Sequence, residues 1–132
     1  MSPLSQVLIF KIVFTIGAWC IPLLLFPTSR FKSLGFKVPE PILYFRLLGI
    51  AYTALVVGYV FGLQTSLGGG YPANIVWVGI VSNGGAFLYL VLNAVSGTWA
   101  SWENPARVLM WGSLVLTGLI TAGLIIFGVW SN

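Results

Sequence analysis

Apolar residues in this chain fall into four long runs, at residues 4–26, 43–63, 75–95 and 107–130, separated by three polar connections. A bilayer core about 30 Å thick takes roughly 20 apolar residues at 1.5 Å of rise each, so every run is long enough to cross. The pattern predicts an all-α integral membrane protein whose four transmembrane helices form one compact bundle. The loops are too short to hold a second domain.

The second run, YFRLLGIAYTALVVGYVFGL, is the element around which the others are expected to assemble. At about 100° per residue, Ala51, Ala54, Gly58 and Gly62 lie on one narrow stripe. The Gly58 and Gly62 step allows another backbone to approach closely, which makes the stripe a candidate packing face. Phe45, Tyr52 and Tyr59 form an aromatic ridge beside it and bring the Tyr52 hydroxyl near the middle of the membrane, where it needs a partner. Arg46, in the first turn, is the only full charge in this run.

The first run ends at Pro27, with Pro22 expected to kink its last turns. Lys11 shares a face with Thr15, Ala18 and Pro22. No span contains an acid to pair with it, and its stem is long enough to reach the nearby headgroups, so snorkelling is the expected state. The carboxylate of Asn132, on the same side of the membrane, is an exposed candidate partner. The connection at residues 27–41, PTSRFKSLGFKVPEP, then alternates cations with apolar residues and reads as an interfacial segment touching anionic headgroups, or alternatively as a docking loop.

Ser82, Asn83, Gly84 and Gly85 fall close to the middle of the third run. An amide in hydrocarbon must be hydrogen-bonded, and adjacent glycines admit a neighbour to the backbone. The packing interpretation bonds Asn83 to the Tyr52 hydroxyl, or to Ser113 or Thr117. The alternative is a midplane pocket formed by Tyr52, Asn83, Gly84 and Gly85, of the kind transporters build at interrupted helices. After a loop carrying Trp99 and Trp102, two rings suited to headgroup level, Pro105 opens the fourth run. Ser113, Thr117 and Thr121 recur there every four residues, beside Gly118 and Ala122, as a seam for close packing and weak interhelical hydrogen bonds.

Composition narrows the chemistry. Only 6% of residues are charged, against 58% hydrophobic; a water-soluble domain carries about a quarter charged residues. The net charge of +4 comes from six Lys and Arg against two acids. Arg30, Lys32, Lys37, Arg46 and Arg107 gather on the side of the first and third loops, against Lys11 alone on the side of the termini. They are expected to act as topogenic, headgroup-contacting charges, with loops one and three cytoplasmic and both termini outside. This distribution does not make a nucleic-acid surface.

The chain has no histidine and one cysteine, Cys20. The commonest general base, the usual axial haem ligand and any thiolate cluster are therefore missing. No catalytic, metal or cofactor-binding residue is expected, although a bound lipid or quinone is compatible with the seams. The N-terminus lacks a basic stretch and carries Trp19 where a cleavable signal wants a small side chain, so no removed signal peptide is expected. A proton-coupled exporter of the small multidrug resistance type would need an acid in the first helix, and none is there.

The long basic loop FPTSRFKSLGFKVPEP leading into FRLLGIAYTALVVGYVFGL resembles the DoxX-like group of small four-helix bacterial membrane proteins. The likeness spans residues 26–63 and rests on layout. It implies at most an accessory subunit near a quinone-using or electron-transfer complex of the bacterial inner membrane, and no cofactor ligand carries over from it. Two functions follow as expectations. One is a non-catalytic accessory or structural subunit that contacts lipid and packs against a larger membrane complex or a copy of itself. The other is a small carrier or binder of a lipid-like ligand, with a polar pocket around Asn83. The surroundings of Asn83 discriminate between them: a satisfied amide in a closed seam would favour the first, and an amide facing a continuous, water-reachable cavity the second.

Overall fold

A computed structural model describes residues 1–130. Four helices in it are long and apolar enough to span a membrane: α1 (Pro3–Leu25), α3 (Leu43–Leu67), α4 (Ala73–Val95) and α5 (Asn104–Trp130). A short helix, α2 (Thr28–Ser33), lies in the first loop. There is no strand among the described residues. The chain is an all-α, four-helix integral membrane protein. The carboxylate of Asn132, the candidate partner of Lys11, lies outside the described residues.

The helices alternate in direction and close into a four-cornered ring. α1 packs on α3 and α5, and α4 packs on the same two, so α1 and α4 occupy one diagonal. One end of the ring is filled by Leu4 and Leu8 of α1, Tyr59 of α3, Val76 of α4, and Ile120 and Leu124 of α5. At that end Ser5, fully buried, shares a 2.8 Å hydrogen bond with Ser66 and ties the start of α1 to the end of α3.

α1 is not a plain helix. Residues Ile16–Cys20 form a wide π turn, with the Ile21 amide donating to the Ile16 carbonyl. Pro22 follows directly. It has no amide hydrogen to give, and its ring crowds the preceding turn of an ordinary α-helix. A wider turn at that point relieves the conflict and advances the helical phase by one residue. The buried face thus runs from Lys11 and Thr15 to Cys20 and Leu23, where an ideal wheel would carry it to Ala18 and Pro22.

The loop end of the ring is just as ordered. Phe31 of α2 is buried among the rings of Phe26, Phe36 and Phe45, and Phe36 meets Trp102 of the third loop. Leu34 accepts a 3.0 Å hydrogen bond from the amide of Ala106, so the first loop caps the start of α5. Gly35 sits there at φ 86°, and a Cβ on it would stand 2.5 Å from the Glu103 side chain, so both conformation and space demand glycine. The first loop is thus folded onto the third. α3 runs four residues past its expected end, to Leu67, because Gln64, Thr65 and Ser66 continue the helix until the glycines at 68–70 stop it.

Candidate functional site

Close to the middle of the four spanning helices, Lys11 and Asn83 meet across the diagonal. The Lys11 ammonium donates to Asn83 Oδ1 at 2.6 Å, and the two residues are 8% and 1% exposed. The expectation that Lys11 snorkels to the headgroups is therefore corrected. The stem points inward, because Asn83 on the facing helix offers an acceptor nearer than the membrane surface. The ring of Tyr59 lies 5.5 Å from the ammonium, a cation–π distance.

Asn83 is fully committed. Its Nδ2 donates to the Gly79 carbonyl, four residues back, at 2.7 Å. Ser82, beside it, shares a 2.9 Å hydrogen bond with the Tyr59 hydroxyl. The chain Lys11, Asn83, Ser82, Tyr59 thus joins α1, α4 and α3 by polar contacts. The partners expected for Asn83, namely Tyr52, Ser113 and Thr117, do not bond to it. Tyr52 instead stacks on Trp19 at a centroid distance of 6.0 Å, and it is Tyr59 that enters the core.

Next to this chain lies a cavity of about 210 Å³. Lys11, Thr15, Ser82, Asn83, Ser113 and Thr117 supply its polar wall, and Phe14, Trp19, Tyr52, Leu90 and Ile120 much of the apolar one. Of the four candidate pocket residues, Tyr52 and Asn83 line it. Gly84 and Gly85 do not: Gly84 packs against Thr121, and Gly85 faces outward with nothing within 4 Å of a Cβ built there. All four spanning helices line the cavity, α4 through Ser82, Asn83, Ala86, Tyr89 and Leu90 rather than through the two glycines.

Two hydroxyls on its wall are anomalous. Thr15 Oγ1 and Ser113 Oγ are buried and have no hydrogen-bond partner, in residues each 2% exposed. Such an atom costs about 1–3 kcal/mol if it stays unsatisfied. The other spanning threonines avoid this by bonding to their own helix. Thr53, Thr117 and Thr121 donate to Gly49, Ser113 and Thr117 carbonyls at 2.8, 2.7 and 2.7 Å. Thr117 and Thr121 therefore do not bond between helices as the seam predicts; the local carbonyl is the nearer acceptor.

The candidate packing residues separate into two groups. Gly62 is buried against Ile75, a Cβ on Gly58 would stand 3.4 Å from the same side chain, and Gly118 is covered by the ring of Phe87, so these three sit between helices. Ala51, Ala54 and Ala122 are exposed on the outside of the bundle. They correct the single-stripe expectation, because the tight α1 contact of α3 runs instead through Gly49, whose Cβ would stand 2.9 Å from Leu24.

The cations also divide. Arg30, Lys32 and Lys37 are exposed on the loop end; Arg30 lies over the Phe26 ring, and Lys32 forms a 3.5 Å ion pair with Glu40. Arg107 donates to Ala100 and Asn104 within its own loop. Arg46 is different, since its guanidinium reaches the carbonyls of Leu23 at 2.6 Å and Phe26 at 2.7 Å. Those are the last carbonyls of α1, which no helical amide can satisfy. The headgroup role expected of Arg46 gives way to a cap. No group of three or more metal-ligating side chains occurs among the described residues.

Comparisons with known protein families, with curated proteins and with solved structures find no match to this chain.

Proposed function

We propose that this is a small non-catalytic membrane protein that binds or carries an amphipathic, lipid-like molecule in the cavity beside Asn83. One observation carries the reading: Thr15 and Ser113, on facing helices, leave buried hydroxyls without partners on the wall of the same cavity. In a seam that serves packing alone, these hydroxyls would turn back onto their own helix, as Thr53, Thr117 and Thr121 do. No histidine or carboxylate accompanies them on that wall. The chain has no histidine, and its two acids, Glu40 and Glu103, lie in loops.

The test is to purify the protein from native membranes in a mild detergent, extract it with solvent, and identify what it releases. A small molecule at about one per chain is expected from the wild type, and much less from Ser113→Phe, whose ring fills the cavity. Release of nothing beyond annular lipid would overturn the reading.

A second reading, an accessory subunit of a larger membrane assembly or a homo-oligomer, is favoured by the outer surface. Ala51 and Ala54 are exposed there, and Gly85 and Gly112 have open space beside them. Small residues facing outward allow another helix to approach closely. Its signature in the same purification is a stoichiometric larger complex. The charge distribution supports an orientation with the first and third loops in the cytoplasm.

A further inference from the structure

We infer that the molecule this cavity takes is a carboxylate on an apolar body, with Lys11 as its counterion. The inference rests on the binding reading above and adds the sign and the chemistry of the ligand's polar end.

Charge is the first argument. An ammonium removed from water costs several kcal/mol unless an opposite charge or a full set of acceptors compensates it. Lys11 has one hydrogen-bond acceptor, the amide oxygen of Asn83, and one aromatic face, that of Tyr59. Both are neutral. Glu40 and Glu103 belong to loops at the far end of the bundle, and the only ion pair among the described residues is that of Lys32 with Glu40. A protonated Lys11 therefore has no protein anion beside it among those residues, and it lies in direct contact with the cavity.

The second argument is the kind of polar atom that remains. Asn83 has spent its oxygen on Lys11 and its NH2 on Gly79 and Ser82. Facing the cavity are the rest of the ammonium and the buried, unpartnered hydroxyls of Thr15 and Ser113. The ammonium can only donate and each hydroxyl is able to donate, so a group with several acceptor lone pairs and a negative charge matches all three at once. A carboxylate supplies both.

The third argument is the remaining wall. Phe14, Trp19, Tyr52, Leu90 and Ile120 are apolar or present aromatic faces, which excludes a hydrophilic anion such as phosphate and favours a ring or an alkyl chain. A cavity of about 150 Å³ holds one benzene. About 210 Å³ on that scale suits a benzoate-sized acid enclosed whole, or the carboxyl end of a fatty acid whose tail leaves between the helices.

The experiment uses the full chain in discs of zwitterionic lipid and measures equilibrium binding of four probes: benzoate, benzamide, decanoate and decanamide. Each amide has nearly the shape of its acid without the charge. At least one acid is expected to bind ten or more times tighter than its amide, with that ratio falling to about one in Lys11→Met. Preference for benzoate identifies a free aromatic acid as the source, and preference for decanoate a lipid-derived one. Thr15→Val and Ser113→Ala keep the ammonium and should weaken the favoured acid about threefold each without abolishing the acid-to-amide ratio. A folding defect would weaken acid and amide alike, so the ratio remains decisive.

Equal binding of acid and amide would overturn the carboxylate and leave the binding reading standing. No binding of any probe, while another molecule co-purifies with the wild type, has the same meaning. No binding and nothing co-purified would overturn both.

Discussion

Lys11 and Asn83 stand on diagonal helices whose backbones do not pack on each other, and their 2.6 Å hydrogen bond spans the α1–α4 diagonal of the bundle. Both are buried, so removing one leaves the other without this partner in the interior. Asn83→Leu should therefore destabilise the fold by about 1–2 kcal/mol, near the upper end for interhelical hydrogen bonds in membranes. Lys11→Met combined with Asn83→Leu should recover part of that loss, since both ends of the bond go together. Unfolding the four proteins in mixed micelles measures the coupling, and additivity within about 0.3 kcal/mol would show that the pair does not interact.

Arg46→Ala should cost about 2 kcal/mol, since it strips a charge-assisted fork from the last carbonyls of α1. Arg46→Lys should restore less than half, because a point ammonium cannot hold two separated carbonyls in a planar fork. Thermal unfolding in detergent distinguishes the cases; full stability in the lysine variant would reduce Arg46 to a surface charge.

The same substitution should have opposite signs at two glycines. Gly62→Ala places a methyl 2.7 Å from Ile75 Cγ2 and 2.9 Å from its Cβ, too close for the side chain to swing away, and should cost about 1–3 kcal/mol. Gly85→Ala meets nothing within 4 Å and should gain about 0.5–1 kcal/mol from helix propensity. A matching loss at both positions would place Gly85 against a partner helix and strengthen the accessory-subunit reading.

Sidedness is checked by cysteine labelling in a Cys20→Ser background. Ser29→Cys and Ser101→Cys, in the first and third loops, should react with an impermeant maleimide only when the cytoplasmic face is open. Asn74→Cys, at the start of α4, should react in intact cells. The opposite pattern would invert the topology while leaving the fold unchanged.

The spans were legible because lipid imposes length and apolarity on a crossing helix. Which side of each helix faces its neighbours was not. Lipid and protein interior are equally apolar, so the Ala51, Ala54, Gly58, Gly62 stripe carries no mark to show that its first half faces out and its second half in. Asn83 was legible as a buried polar residue, since an amide in hydrocarbon has few alternatives. Its partner was not: the choice of Lys11 over Tyr52 depends on which helices share a diagonal. Arg46 was visible as a charge, but the carbonyls it caps are backbone atoms of another helix and leave no trace in side-chain identity.

The fork from Arg46 also bears on how the protein is made. α1 alone would end inside or at the edge of the bilayer with the Leu23 and Phe26 carbonyls exposed, and the donors that cover them arrive only with the next spanning helix in synthesis. The first spanning helix is thus finished by the second. During biogenesis these two carbonyls of α1 gain the Arg46 donors only once the α1–α3 hairpin has formed.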